Sequence, residues 1–264
     1  MMSKNADTFL HSNPGLYQIF KSDPNLNMAK RVHELLIWGQ ASGTILDVGC
    51  GLGNEAGYLT DQGYKVIGID KSLAMISWAK EHHINTVFCA ADQTSFQFDC
   101  FFAAIYSVGS SFLYNISNEE AICTLQNFRK HLKKDGMLYL DIRNGMFFFT
   151  PEGQRWLAEE LVRSVVYRGR SVQLRTQFSL EWNHQLLLRD YCWLIDGEFH
   201  QCEHLKHRLF FPKEIELLLS ISGFKMLKVF GIPAPSSSGF LSENNQLFEG
   251  PLTNPRMQVI AVAA

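Results

Sequence analysis

Thr44-Ile45-Leu46-Asp47-Val48-Gly49-Cys50-Gly51-Leu52-Gly53 decides how this chain is read. A β-branched and apolar run breaks into three glycines at alternate positions, with a carboxylate two residues before the first of them. The run reads as a buried strand. The glycines read as a turn into a helix, because residues without Cβ let a ligand lie against the backbone. Further on, Val66-Ile67-Gly68-Ile69 is a second apolar run, and it ends in Asp70. The result is a β-loop-α-β unit with an acid at the second strand's tip. A carboxylate there can accept hydrogen bonds from two ribose hydroxyls, so the unit is expected to bind a nucleoside.

Charge narrows the nucleoside. A dinucleotide loop has the form G-x-G-x-x-G and seats a pyrophosphate at the helix N-terminus. Here the third glycine comes one residue early and Asn54 holds its expected place. Asp47 and Glu55 would also face a pyrophosphate with their own sign. S-adenosylmethionine (SAM) has no phosphate, and its ammonium and sulfonium groups tolerate nearby anions, so the pattern favours SAM.

With these residues in view, the sequence resembles the class I SAM-dependent methyltransferases. The resemblance implies an α/β fold, a doubly wound and mostly parallel seven-stranded sheet of the Rossmann-like kind. It makes Asp47, Gly49, Cys50, Gly51 and Gly53 the first cofactor motif, and Asp70 the ribose acid with Lys71 beside it. Asp92, flanked by Ala91 and Gln93 after the strand Val87 to Ala90, is expected to meet the adenine amino group. Met75 either packs on adenine or belongs to the ordinary core. Asp99 to Tyr106 is similar to the family's fourth strand, and Ser107-Val108-Gly109-Ser110 would then face the methionine part and the acceptor. The fifth strand is expected over Leu138 to Ile142, after a helix at about 118–132 and the turn Lys134-Asp135-Gly136.

Bulk properties suit a soluble enzyme. The 264 residues are enough for a large core, and a formal net charge of −2 gives no field that attracts nucleic acid or an anionic membrane. No apolar run reaches the about 18 residues that span a bilayer, and the start MMSKNADTFLHSNPG lacks a signal peptide's apolar core. The six cysteines (50, 89, 100, 123, 192, 202) contain no C-x-x-C pair and read as reduced core thiols, which points to the cytoplasm. A small-molecule acceptor is expected, with no nucleic-acid or membrane partner, in a monomer or homodimer.

Four segments follow from composition and periodicity. Residues 1–40 form a helical lid segment with a helix over Met28 to Trp38, in which Tyr17 and Phe20 either touch the cofactor or pack the helix down. Residues 41–163 alternate strand and helix and form the cofactor core. Over 164–211 the period changes to two, with turns at Asn183-His184-Gln185 and Asp196-Gly197, so an antiparallel meander of three or four strands is inserted, and the resemblance implies that it caps the active site. Residues 212–264 return to the sheet through a helix at 212–222 and strands at Lys225 to Gly231 and Gln258 to Ala263, separated by a loop, Pro233 to Pro255, that reads as mobile.

The inserted meander is similar to the subgroup acting on small metabolites. The N-P-P-Y and D-P-P-Y signatures of DNA amino-methyltransferases are absent, as is a Pro-Cys nucleophile. Transfer to such an acceptor, preferably at nitrogen, is an in-line displacement that needs positioning more than a universal catalytic side chain. The general base is therefore unassigned. Substrate candidates are Tyr17, then Ser110, Ser111, Phe112 and Tyr114 after the fourth strand, and Arg143 and Asn144 after the fifth. Arg143 would hold an acceptor carboxylate or phosphate, or else pair internally with Asp141. Phe147-Phe148-Phe149 and Trp156 either wall the acceptor pocket or fill core. His200, Cys202 and His204 share one strand face, and His200 is a candidate acceptor contact or base; without a fourth ligand or a spacing signature no metal is expected. A catalytically silent SAM-binding regulator and a nicotinamide oxidoreductase remain the rival readings.

Overall fold

The computed structural model describes residues 8–21, 23–232, 239–242, 244–247 and 249–264. Five parallel strands form the centre of the large sheet: β1 (Thr44–Val48), β2 (Lys65–Asp70), β3 (Val87–Ala90), β4 (Phe102–Ser107) and β5 (Leu132–Arg143). The chain returns late as β10 (Phe224–Gly231) and β11 (Arg256–Ala263), and the strand order is β10-β11-β5-β4-β1-β2-β3, with β11 antiparallel to β5. Order reverses between β1 and β4, which opens a crevice at their carboxyl ends, where ligands bind in doubly wound sheets.

The core explains this arrangement. Every residue of β4 is buried, as a parallel strand covered on both faces must be. One apolar cluster joins Leu46, Ile105 and Leu140 to α5 (Asn118–His131) and α7 (Pro212–Ile221); another joins Ile45 and Ala104 to α2 (Asn27–Trp38), α3 (Asn54–Asp61) and α4 (Leu73–His82). Ser117 and Glu120 close a reciprocal capping box on α5, which satisfies donors the first turn would leave bare.

A second sheet, β6 (Leu161–Tyr167), β7 (Arg170–Glu181), β8 (Leu186–Ile195) and β9 (Glu198–Arg208), is the antiparallel meander, and it begins before residue 164. The short helix α1 (Pro14–Phe20) lies between this sheet and α4, with Gly15 close to both Tyr167 and Trp78. Leu10, Leu16 and Phe20 bury themselves on Leu174, Tyr191 and Trp193 of the meander.

Several expectations need correction. The fifth strand runs longer than Leu138 to Ile142, because the Lys134-Asp135-Gly136 turn is absorbed as a bulge with Asp135 at φ +57°. The fourth begins at Phe102, leaving Asp99 and Cys100 outside it. Helix α6 (Pro151–Ala158), opened by a Thr150 cap, adds an element the periodicity did not announce. Cys192 and Cys202 are not reduced thiols: they stand opposite each other on β8 and β9 and form a disulfide. Strand register, not sequence spacing, makes that pair. Of the loop expected to be mobile over Pro233 to Pro255, residues 233–238, 243 and 248 lie outside the described residues.

Candidate functional site

The glycine turn is fixed from below. The N–H groups of Gly49 and Cys50 both donate to the Ile69 carbonyl, at 2.8 and 2.9 Å, tying the end of β1 to β2. Gly49 has φ +76°, and a Cβ there would lie 2.2 Å from Ser111 Oγ. Gly53, the cap of α3 at φ +81°, would put a Cβ 2.6 Å from Phe88 Cζ. Neither position admits a side chain without displacing the structure. Asp70 completes the turn: its Oδ2 accepts from Gly51 N and its Oδ1 from Ser72 N, each at 2.9 Å. Each oxygen keeps acceptor capacity for a ligand hydroxyl.

Asp47 lies beneath this turn, 0% exposed, and among the described residues neither carboxylate oxygen makes a well-formed hydrogen bond, although the Tyr106 hydroxyl lies close enough to interact with it. Burial pushes its carboxyl well above the ordinary range. Glu55 adds to the push, the nearby Tyr106 hydroxyl relieves part of it, and Asp70 adds again. Tyr106 Oη and Ser107 Oγ are likewise buried without well-formed partners. A cluster of unsatisfied buried acceptors beside a glycine cradle is costly unless a cationic or donor-bearing ligand satisfies it. The residues therefore fit a cofactor with an ammonium and a sulfonium, with Asp47 and the Gly49–Gly53 turn as its holders.

Beyond Asp70 the strand tips continue the site. Lys71 Nζ lies 3.1 Å from Asp92 Oδ2, while Thr94 donates to Asp92 Oδ1 through both its N–H (2.9 Å) and its hydroxyl (2.7 Å). Burial acts to raise the Asp92 carboxyl, but these bonds outweigh it and hold the group below its usual range. Gln93 Nε2 reaches the Ser111 carbonyl and Asn115 Oδ1, and its Oε1 is left without a partner. A cavity of about 500 Å³ is walled by Gly49, Asp70, Lys71, Ala91, Asp92 and Gln93, by the turn Ser111 to Asn115, by Thr8 and His11 of the N-terminal segment, and by Leu205 of the cap.

The structure brings only some of the expected residues to this cavity. Tyr114 lines it, its ring edge-on to His207 at 4.7 Å. Tyr17 packs its ring against His11, which itself lines the cavity. Burial raises both phenols above the usual range; Tyr17 feels Tyr114, Glu55 and Asp70 and, in the opposite sense, Arg189, while Tyr114 is opposed by Arg189. Cys50, Gly51, Gly53 and Val108 support the turn or the strand end from behind, and Met75 is fully buried under α4's Ser72 cap.

Others sit elsewhere. Phe112 is core, packed 5.3 Å from Phe210. Asn144 donates to the Leu252 and Asn254 carbonyls and anchors the return of the chain into β11. Ser110, at φ +80°, accepts from Arg256 Nη1 at 3.0 Å. His200 is exposed against Phe9, at the bulge that shifts β8 against β9. Cys202 is in the disulfide and His204 bonds Asp190, so the expected shared face is otherwise engaged. Arg143 does not pair with Asp141. Asp141, fully buried, is gripped by Arg256 at 2.6 to 3.0 Å and by Gln258 at 2.7 Å, because Arg256 stands opposite Arg143 on the neighbouring strand and reaches across diagonally. The Arg143 guanidinium turns to the rings of Trp156 and Phe178 instead. Phe147 and Phe148 are core, while Phe149 is largely exposed.

Ser111, expected after the fourth strand, lines the cavity, and Asn115, Thr94 and Leu205 line it without having been foreseen. Arg189 also escaped notice, although a signal existed: it interrupts the apolar alternation Leu187, Tyr191, Trp193 on one face of its strand.

Residues 45–136 match the methyltransferase domain family. The chain is 32% identical over 106 residues to the glycine/sarcosine N-methyltransferase of Aphanothece halophytica, covering 38% of this chain and 40% of that protein. It is 28% identical over 126 residues to the cypemycin N-terminal methyltransferase of Streptomyces sp, covering 47% and 49%. Each match thus spans half or less of the relative's length. In fold it is similar to the SAM-bound amino pentose methyltransferase CalS10 from Micromonospora echinaspora, with TM-score 0.71 and 15% identity over 99% of this chain and 100% of that one.

Proposed function

We propose that this chain, whose residues 45–136 match the methyltransferase domain family and whose fold is similar to that of a SAM-bound methyltransferase, transfers a methyl group to the nitrogen of a small molecule held between the sheet edge and the antiparallel cap. The observation that carries the reading is Asp47, a buried carboxylate without a well-formed hydrogen bond among the described residues, directly under a glycine turn that Asp70 braces. Asp70, Asp92 and the turn hold the adenosyl part in this reading, and Asp47 answers its positive charge. Bound SAM supplies an electrophilic methyl whose C–S electron pair returns to sulfur as the acceptor's lone pair forms the new N–C bond.

The chain's own residues position the acceptor and exclude water. Tyr17 and Tyr114 have raised pKa values, so both remain protonated phenols; they orient an amine by hydrogen bonding and do not serve as bases. The amine attacks in its neutral form and its proton leaves to water. Relatives named for N-methylation support nitrogen as the target. The reading also takes the protein as a cytosolic monomer or homodimer without a nucleic-acid partner. Among the described residues no helix is long and apolar enough to cross a membrane. Four free cysteines support the cytosol and the Cys192–Cys202 bridge opposes it; the oxidation state of that pair in cell extract decides.

Calorimetric titration tests the cofactor half. Heat is expected from SAM and none from NAD, with the SAM signal weakened about 100-fold in Asp70→Ala, which loses two charge-assisted bonds along with its ligand contacts. NAD binding in place of SAM overturns the reading. Binding without transfer of labelled methyl to any amine of a broad panel would make the protein a silent SAM binder.

A further inference from the structure

The cap presents a second unsatisfied charge, of opposite sign. On the face of β8 that carries Leu187, Tyr191 and Trp193, Arg189 is only 9% exposed. Its Nε has no partner, its Nη1 points at the His207 ring nitrogens at 3.2 Å, and its guanidinium lies over Tyr191 at 4.8 Å. Strand register fixes what stands beside it: Phe178 opposite on β7 and Leu205 opposite on β9. Leu205 lines the cavity, and Arg143 reaches the Phe178 ring from the large sheet, at 5.8 Å. Arg143 from the large sheet thus meets the ring of Arg189's strand partner, close enough for the two guanidiniums to repel each other, next to the cavity wall.

Among the described residues neither forms an ion pair with a carboxylate. Among the described residues, the acids of this neighbourhood are already engaged: Asp141 by Arg256, Glu203 by Trp193 Nε1 and Phe9 N, and Asp190 by His204. Arg143 Nε is likewise buried and unbonded. Burial, then repulsion from Arg189 and Arg256, pushes Arg143 down to about 9 against a smaller opposing pull from Asp141, and Lys21, exposed at one side, is lowered to about 8 by burial and by Arg189, Arg143, Arg163 and Arg256. His207 is held neutral by burial and these cations, so it accepts from Arg189 and cannot neutralise it. Uncompensated buried guanidiniums are costly unless an anion pairs with them, and a planar fork matches an oxyanion bidentately.

We propose that Arg143 and Arg189 form an oxyanion-binding end of the acceptor pocket, so the methylated amine belongs to a molecule that also bears a carboxylate or phosphate group. The inference rests on the methyltransferase reading above, and it names the acceptor's second functional group. Tyr17 and Tyr114, which feel Arg189 on one side and Asp70 on the other, mark the boundary between this end and the cofactor.

The test is calorimetry with inorganic phosphate and with acetate as separate probes, on the full chain in the presence and absence of S-adenosylhomocysteine. At least one probe is expected to bind in the millimolar range, and which one does so assigns phosphate or carboxylate. Arg189→Gln and Arg143→Gln should each weaken that binding about tenfold or more, while Arg189→Lys, which keeps the charge, should lose less. Circular dichroism and retained S-adenosylhomocysteine affinity show that each variant is folded. If neither probe binds wild-type protein, or if no folded variant changes the affinity, the inference fails, whatever the cofactor result. If S-adenosylhomocysteine does not bind wild type but the anion does, the methyltransferase reading falls and the anion site stands.

Discussion

Asp47 in β1 and Arg189 in β8 are both buried ionisable side chains with polar atoms that make no well-formed hydrogen bond among the described residues, and they come from the two different sheets. Around Asp47 the neighbours are Glu55 and Asp70; around Arg189 they are Arg143, Arg256 and Lys21. The donor half is thus acidic and the acceptor half basic. A folded protein keeps such groups unpaired at a cost, and ligands of matching opposite sign remove it. On the proposed function the contrast would also sort the two substrates, since a cationic donor and an anionic acceptor would each be repelled from the other's place.

The sharpest way to break the comparison is to destroy one half sterically. Gly49→Val forces a branched side chain into φ +76° and into Ser111; cofactor affinity should fall by more than about 100-fold with a stability loss of about 2–4 kcal/mol, read by calorimetry and thermal melting, while anion binding by the cap persists in whatever fraction folds.

Arg256 separates a paired cation from the unpaired ones. Its side chain is 22% exposed and its partner Asp141 0%. Arg256→Gln should cost about 3 kcal/mol by denaturant unfolding, because Asp141 is left buried without its counter-charge. Arg189→Gln should cost far less stability, or none. Equal losses would show that Arg189 has a structural partner after all.

The halves should also bend the pH–stability curve in opposite directions. Asp47's folded carboxyl lies above its unfolded value of 3.8, so its contribution is favourable at low pH and is lost as pH rises from there through the folded value. His207's folded value lies below its unfolded 6.5, so stability falls as pH drops under 6.5 and the unfolded chain takes up a proton first. Asp47→Asn should therefore raise the apo protein's Tm by a few degrees at neutral pH, and His207→Gln should flatten the acid limb. The same sign for both variants would contradict the assignment.

The smallest effect is expected at Lys71, whose pair with Asp92 is exposed, 55% and 35%. Lys71→Ala should shift stability by about 0.2–1 kcal/mol and should shift it less in high salt, with cofactor affinity nearly unchanged.

The turn that Asp47, the alternate glycines and Asp70 build was legible along the chain because a strand, a turn and a second strand are local events, and the residues proposed to bind there lie within one β-loop-α-β unit. The doubly wound core and the antiparallel cap were legible for the same reason: periods of 3.6 and 2 are written residue by residue. What tertiary structure alone decided was partnership across distance. Arg256 rather than Arg143 answers Asp141 because β11 returns antiparallel beside β5. Cys192 meets Cys202 because β8 and β9 share a register. Arg143 reaches Phe178, the strand partner of Arg189, only because two sheets, far apart in sequence, pack together. Alternation shows which face a side chain takes; only the packed fold sets what stands opposite it.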